Sequence, residues 1–154
     1  MFLRKLAPLA VAAALLLLPV TADAESRFGY DWDALGQEFC RLTLAGDTSA
    51  MAPVLSESLV ALIRQASANP NMPSGRTLFQ TYQTKVSECT ARTISSAIVE
   101  IKRQNFGAVG NPAWTEYLVV VPQTDGTTRI DDVLFATRRS DTLRARLNGW
   151  ASGR

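Results

Sequence analysis

The stretch YLVVVPQTDGTTRIDDVLF, Tyr117–Phe135, decides the fold, because two apolar runs flank an Asp125-Gly126 turn signal and read as an antiparallel hairpin. Its second arm carries adjacent carboxylates, Asp131 and Asp132, which belong either to a reactive pair or to the scaffold. A tight two-residue turn pairs Val121 with Ile130, Val119 with Asp132 and Tyr117 with Leu134. Strand side chains alternate, so Asp132 then shares its face with apolar neighbours, while Asp131 lies on the other face with Leu118, Val120, Val133 and Phe135. Only a bulge would re-aim one aspartate and bring the two together. The tight turn also sets Pro122 opposite Arg129, in a pair that needs a backbone donor proline lacks. A wider loop from Pro122 to Thr128 relieves this conflict and shifts the register by a residue.

Upstream of the hairpin, AIVEIKRQ, residues 97–104, alternates as a strand with Val99 and Ile101 on one face and Glu100 and Lys102 on the other. NFGAVGNPA, residues 105–113, is a loop by its glycines and proline. Residues 78–94 carry two patterns. Leu78, Phe79, Tyr82, Val86 and Cys89 fit helical spacing, whereas Val86 to Ile94 suits an extended chain. The reading adopted is a short helix or turn before about Lys85 and a strand after it.

Nearer the start, Trp32, Leu35, Phe39 and Leu42 recur at helical steps and stop near Gly46. A second helix runs through Val54, Leu55, Leu59, Leu62, Ile63 and Ala66, between Pro53 and Asn69-Pro70, with Ser56 and Ser58 clouding its start. ANPNMPSGR, residues 68–76, is a loop. At the other end Ser140 caps a short helix containing Leu143 and Leu147, followed by Trp150. The expected fold is α+β: N-terminal helices packed on a curved antiparallel sheet of about four strands, with one disulfide and a short C-terminal helix.

Arg4 and Lys5 precede an apolar run, Leu6 to Val20, and then Ala22-Asp23-Ala24, the layout of a secretory signal peptide cleaved after Ala24. Pro8 and Pro19 interrupt the run, and a bilayer span needs about 20 apolar residues, so no stable membrane span is expected after cleavage. Removing 24 of 154 residues leaves 130, a single domain at 25–154 in the periplasm or outside the cell. Without Arg4, Lys5 and Asp23, 14 basic and 13 acidic side chains remain, a net charge of +1 that argues against nucleic-acid binding.

In an oxidising compartment Cys40 and Cys89 are expected to form one disulfide. A catalytic thiol has no histidine to activate it and no C-x-x-C spacing. The absence of histidine and the pairing of the cysteines also argue against zinc. Asp31 and Asp33 flank Trp32 without the ligand spacing of a calcium loop and suit the positive end of the first helix instead. GAVGNPAW lacks the lysine of a phosphate-binding loop, so no metal or other cofactor is expected. Arg138, Arg139, Arg144, Arg146 and Arg154 form a basic cluster, broken by Asp141, that reads as a solvated helix face.

Two helices followed by strands, ending in a hairpin that reads Trp114…YLVVV…DG…RIDDVLF, resemble the cone-shaped fold of the nuclear transport factor 2-like superfamily. More narrowly, they resemble small bacterial exported domains of unknown function within it; a cystatin-like fold is the structural alternative. The resemblance covers nearly all of residues 25–154 and implies a pocket between sheet and helices. Enzymes of similar fold include ketosteroid isomerase and dehydratase relatives, in which pocket Asp, Tyr or His residues handle protons. That likeness would make Asp132 the base and Tyr117 or Tyr82 the hydrogen-bond donor of an isomerase, dehydratase or hydrolase.

The scaffold reading instead pairs Asp131 or Asp132 with Arg92, Arg103 or Arg129, or has it accept from loop N–H groups, and it is preferred because a lone strand carboxylate is weak grounds for catalysis. The expectation is therefore a non-enzymatic exported domain that binds a small apolar ligand or an envelope protein through its pocket or sheet face. Leu118, Val120, Val133 and Phe135 need cover, which a homodimer or the C-terminal segment would supply.

Overall fold

The computed structural model describes residues 31–154; the expected signal peptide lies outside the described residues. Helix α1, Asp33–Ala45, presents Phe39, Cys40, Leu42 and Thr43 to the interior, and Gly46 ends it in the left-handed region at φ 71°. The Gly46 amide donates to the Leu42 and Thr43 carbonyls, a stop that a residue without Cβ makes cheaply. A 3₁₀ turn, Ser49–Val54, leads to α2, Glu57–Ala66, which begins later than the apolar periodicity suggests. Pro53 and the Ser56 cap explain the delay: Ser56 is extended, and its hydroxyl accepts from the Leu59 amide at 3.2 Å.

The ambiguous region after α2 resolves into a 3₁₀ turn, Gly75–Phe79, and then β1, Glu88–Ser95. Strands β2, Ile98–Gln104, β3, Ala113–Pro122, and β4, Thr128–Leu134, complete a four-stranded antiparallel meander in sequence order. Helix α3, Leu143–Ala151, closes the chain, and its cap is Thr142 rather than Ser140, with the hydroxyl accepting from the Ala145 amide.

One face of the sheet meets the helices. Val99, Ile101, Leu118, Val120, Ile130, Val133 and Phe135 form one apolar cluster with Phe39 and Leu42 of α1, Leu59 of α2, and Leu143 and Leu147 of α3. Leu118, Val120, Val133 and Phe135, expected to want a second layer or a second copy, are thus covered within the chain. Tyr117, Val119, Val121 and Leu134 on the opposite face are half-buried and stand outside that cluster.

Two devices set how α1 lies on the sheet. A Cβ built on Gly36 would stand 2.6 Å from the Ala91 Cβ and 2.7 Å from Val99 Cγ1, so glycine lets the helix backbone approach β1 and β2 closely. The Cys40–Cys89 disulfide then ties α1 to β1 across 49 residues, and closing that loop contributes about 4 kcal/mol in the chain-entropy account. At the helix start, Asp33 Oδ1 accepts from the Thr93 amide and hydroxyl, while Asp31 Oδ1 accepts from the Asp33 amide at 2.8 Å.

The hairpin corrects the tight-turn register. Tyr117 pairs with Leu134 and Val119 with Asp132, but Val120 pairs with Ile130 and Val121 with Arg129, leaving Asp131 as the extra residue of a β-bulge. Pro122 now faces Thr128, and the loop closes with the Gln123 amide donating to the Thr127 carbonyl at 2.7 Å. The closing donor thus sits one residue past the proline, and Gly126, at φ 81°, takes the positive-φ position.

The outer edge of β4 is occupied as well. Leu55 bridges Ile130 and Thr142 bridges Leu134, while the Ser56 amide donates to the Ile130 carbonyl and the Phe135 amide to Asp141. This strand is therefore not a free template for edge-to-edge pairing.

Candidate functional site

The bulge answers the question posed by the paired aspartates. Asp131 Oδ1 accepts from the Ser56 hydroxyl at 2.6 Å, the Ser58 hydroxyl at 3.3 Å and the Arg144 guanidinium at 2.5 Å. Arg144 also donates through Nε to the Asp131 carbonyl and through its terminal nitrogen to Ser58. Asp132 Oδ1 accepts from the Arg144 amide at 2.9 Å, in the first turn of α3, and from the Val133 amide. The two carboxylates thus fix the starts of α2 and α3, where negative charge suits the positive end of a helix. Their arginine partner is Arg144 on α3, not Arg92, Arg103 or Arg129; Arg129 binds Asp125 in the hairpin loop. Burial raises the Asp131 pKa, but Ser56, Arg144 and Ser58 outweigh it and hold the carboxyl below its ordinary value of 3.8.

The residues named for proton chemistry do not assemble around one cavity. Tyr117 stands diagonal to Asp132 on the sheet, its direct partners being Glu100 and Leu134. Tyr82 is exposed and packs edge-on against Trp114, with ring centroids 5.3 Å apart. Trp114 lies five positions along β3 from the residue opposite Asp132, about 17 Å at a strand's rise, so Tyr82 and Asp132 serve different ends of the sheet.

Where the resemblance implies a pocket between sheet and helices, a charged pair fills the space. Arg103 and Glu116, both with fully buried side chains, meet at 2.6 Å. Glu116 also accepts from the Thr81 amide, the Thr81 hydroxyl and the Trp114 indole. Arg103 donates further to the Phe79 carbonyl and the Thr43 hydroxyl, and its guanidinium carbon lies 5.6 Å from the Phe39 ring centroid. Every donor in this cluster has a partner, and among the described residues no buried side-chain polar atom is left without one. The cluster therefore serves packing and carries no open position for a substrate.

An apolar opening lies among the helices. A cleft of about 390 Å³ runs between the 3₁₀ turn Ser49–Val54, α2 and the segment from Met72 to Phe79. Its floor is the buried set Met51, Leu55, Leu78 and Phe79, and its walls are the half-buried Val60, Ile63 and Met72. Small-molecule sites occupy roughly 300–1,000 Å³, so the volume suits one small apolar ligand. Apart from Met1, the methionines of the chain are Met51 and Met72, and both line this cleft. Their flexible, polarizable side chains adapt to varied apolar surfaces.

Helix α2 serves two surfaces at once. Leu59 and Ala66 are buried in the core, while Val60, Ile63, Arg64 and Ser67, one stripe at helical spacing, line the cleft. Sequence reasoning named none of these as ligand-binding. The available signal was that Val60 widens the Leu59, Leu62, Ile63 and Ala66 face beyond what a single packing surface requires.

No helix among the described residues is long and apolar enough to cross a membrane, and no cluster of candidate metal ligands occurs among them. Comparison of the chain with family models, curated proteins and solved structures found no match.

Proposed function

We propose that this is an exported, non-enzymatic binding domain of the nuclear transport factor 2-like kind, and that its ligand occupies the cleft between α2 and the Met72–Phe79 segment. The observation that carries this reading is the lining itself: among the described residues, a broad apolar floor with two methionines and no carboxylate, cysteine or tyrosine side chain. Such a surface binds by removing apolar area from water, at about 25 cal/mol per Å², and its described lining offers the Thr48, Ser67 and Ser74 hydroxyls no carboxylate or thiol base. The filled interior around Arg103 and Glu116, and the engagement of Asp131 and Asp132 with Arg144, support binding over catalysis. Two helices ahead of a four-stranded meander support the superfamily reading, and the Cys40–Cys89 disulfide supports an oxidising compartment.

The test is titration with an environment-sensitive apolar dye. We expect saturable binding to the wild-type protein, loss of at least tenfold in affinity when Val60→Trp fills the cleft, and unchanged affinity for Asp132→Asn. Dye binding that survives Val60→Trp but is lost in Asp132→Asn would place the ligand elsewhere.

A further inference from the structure

We infer that the ligand of the α2 cleft is a single-chain amphiphile with an anionic head, its chain on the apolar floor and its head against Arg64. This rests on the binding reading above and adds the ligand's chemical class. Among the described residues Arg64 is the one charged residue lining the cleft, and it projects from the same stripe of α2 as Val60 and Ile63. It is exposed and enters none of the ion pairs among the described residues. A cation at the mouth of an apolar cleft, with no carboxylate among the described residues of the lining, complements a ligand that is apolar along its length and negative at one end.

A second depression, of about 320 Å³, adjoins the cleft. It shares Ala52, Leu55, Val60 and Arg64 with the first, so Arg64 stands at the seam between the two. Beyond the seam lie Arg129, whose charge is shared with Asp125 at 3.3 Å, and the Glu57 carboxylate. A head at the seam meets Arg64, on a lining that also carries Arg129 and Glu57. The proposed orientation sets the alkyl chain toward Met72 and Leu78 and the head toward Val60 and Arg64.

The probes are decanoate, decanol and decyltrimethylammonium, each titrated calorimetrically below its micelle-forming concentration. Because Arg64 is exposed, charge is expected to separate decanoate from decanol by roughly threefold to fivefold, with the ammonium weakest. Shortening the carboxylate should weaken binding about fourfold per methylene, and raising the salt to about 1 M should shrink the charge preference. Arg64→Gln should erase the preference, bringing decanoate to the affinity of decanol for the same variant, and Arg64→Lys should retain most of it. Equal affinity for all three probes, unaltered by Arg64→Gln, overturns the anionic-head assignment while the binding reading stands. If no probe binds and the apolar dye also fails to bind, both fall.

Discussion

The Arg144 guanidinium donates to Asp131 Oδ1 while the Arg144 backbone amide donates to Asp132 Oδ1, so one residue of α3 engages both carboxylates of the β4 bulge. Asp131→Asn keeps the shape but loses the charge-assisted bonds to Ser56 and Arg144, and it is expected to cost about 1–2 kcal/mol. Asp132→Asn weakens one bond at a helix start and should cost about 1 kcal/mol. Urea denaturation measures both. Dye affinity for the α2 cleft should be unchanged in each variant.

Acid should weaken the docking of α3 first. Asp131 is held below 3.8 as described, and Asp141 is held below 3.8 chiefly by its hydrogen bond from Arg146, against burial, with Thr137 adding to the effect. A carboxyl depressed in the folded state contributes stability that is fully present above its unfolded pKa and is lost as pH falls through the lower, folded value. Stability should therefore be flat above about pH 5 and decline below about pH 4. Denaturation at several pH values tests this, and the Asp131→Asn/Asp141→Asn double variant should show a shallower decline.

Gly36→Ala places two opposed effects in direct competition. Alanine in a helix interior is favoured over glycine by up to about 1 kcal/mol. The added methyl, however, meets Ala91 and Val99 side chains at 2.6 and 2.7 Å on the sheet surface, and overpacking of that kind costs about 1–3 kcal/mol. The expected net result is destabilisation of about 1–2 kcal/mol, read from the urea midpoint. A more stable variant would show that α1 can lift from the sheet at little cost.

Glu116→Gln should be among the most damaging single changes in the chain. It leaves the fully buried Arg103 charge uncompensated, a loss of about 3–5 kcal/mol. Replacing a buried ion pair by apolar residues is often neutral, but here Glu116 also satisfies the Thr81 amide and the Trp114 indole. An Arg103→Met/Glu116→Leu variant orphans both donors, at about 1–3 kcal/mol each, and should remain less stable than wild type. Thermal denaturation distinguishes the outcomes, and a double variant as stable as wild type would contradict this account.

Much of the architecture is legible in the residues. The period of Trp32, Leu35, Phe39 and Leu42 marks α1, Val99 and Ile101 mark β2, and Cys40 and Cys89 announce their bridge. What stays hidden depends on contacts distant in sequence. The bulge at Asp131 exists because Ser56, Ser58 and Arg144 meet it, and none of these is a strand neighbour. Arg103 and Glu116 occupy positions on β2 and β3 where alternation calls for apolar side chains, yet both are buried through a partnership no local pattern displays. The helical spacing of Leu78, Phe79, Tyr82 and Val86 yields only the Gly75–Phe79 turn, whose place is set by Leu78 and Phe79 entering the core. The cleft was hidden for a related reason, since α2 divides its apolar residues between two surfaces and the sequence does not label which is which.

The most direct test of the binding account is an amide NMR titration of the oxidised protein with decanol, an uncharged probe. Shifts are predicted to cluster in residues 49–55, along α2 and in residues 72–79, with Asp131, Asp132 and Tyr117 unmoved. Shifts confined to Tyr117, Val119 and Asp132 would contradict the assignment of function to the α2 cleft and return it to the sheet.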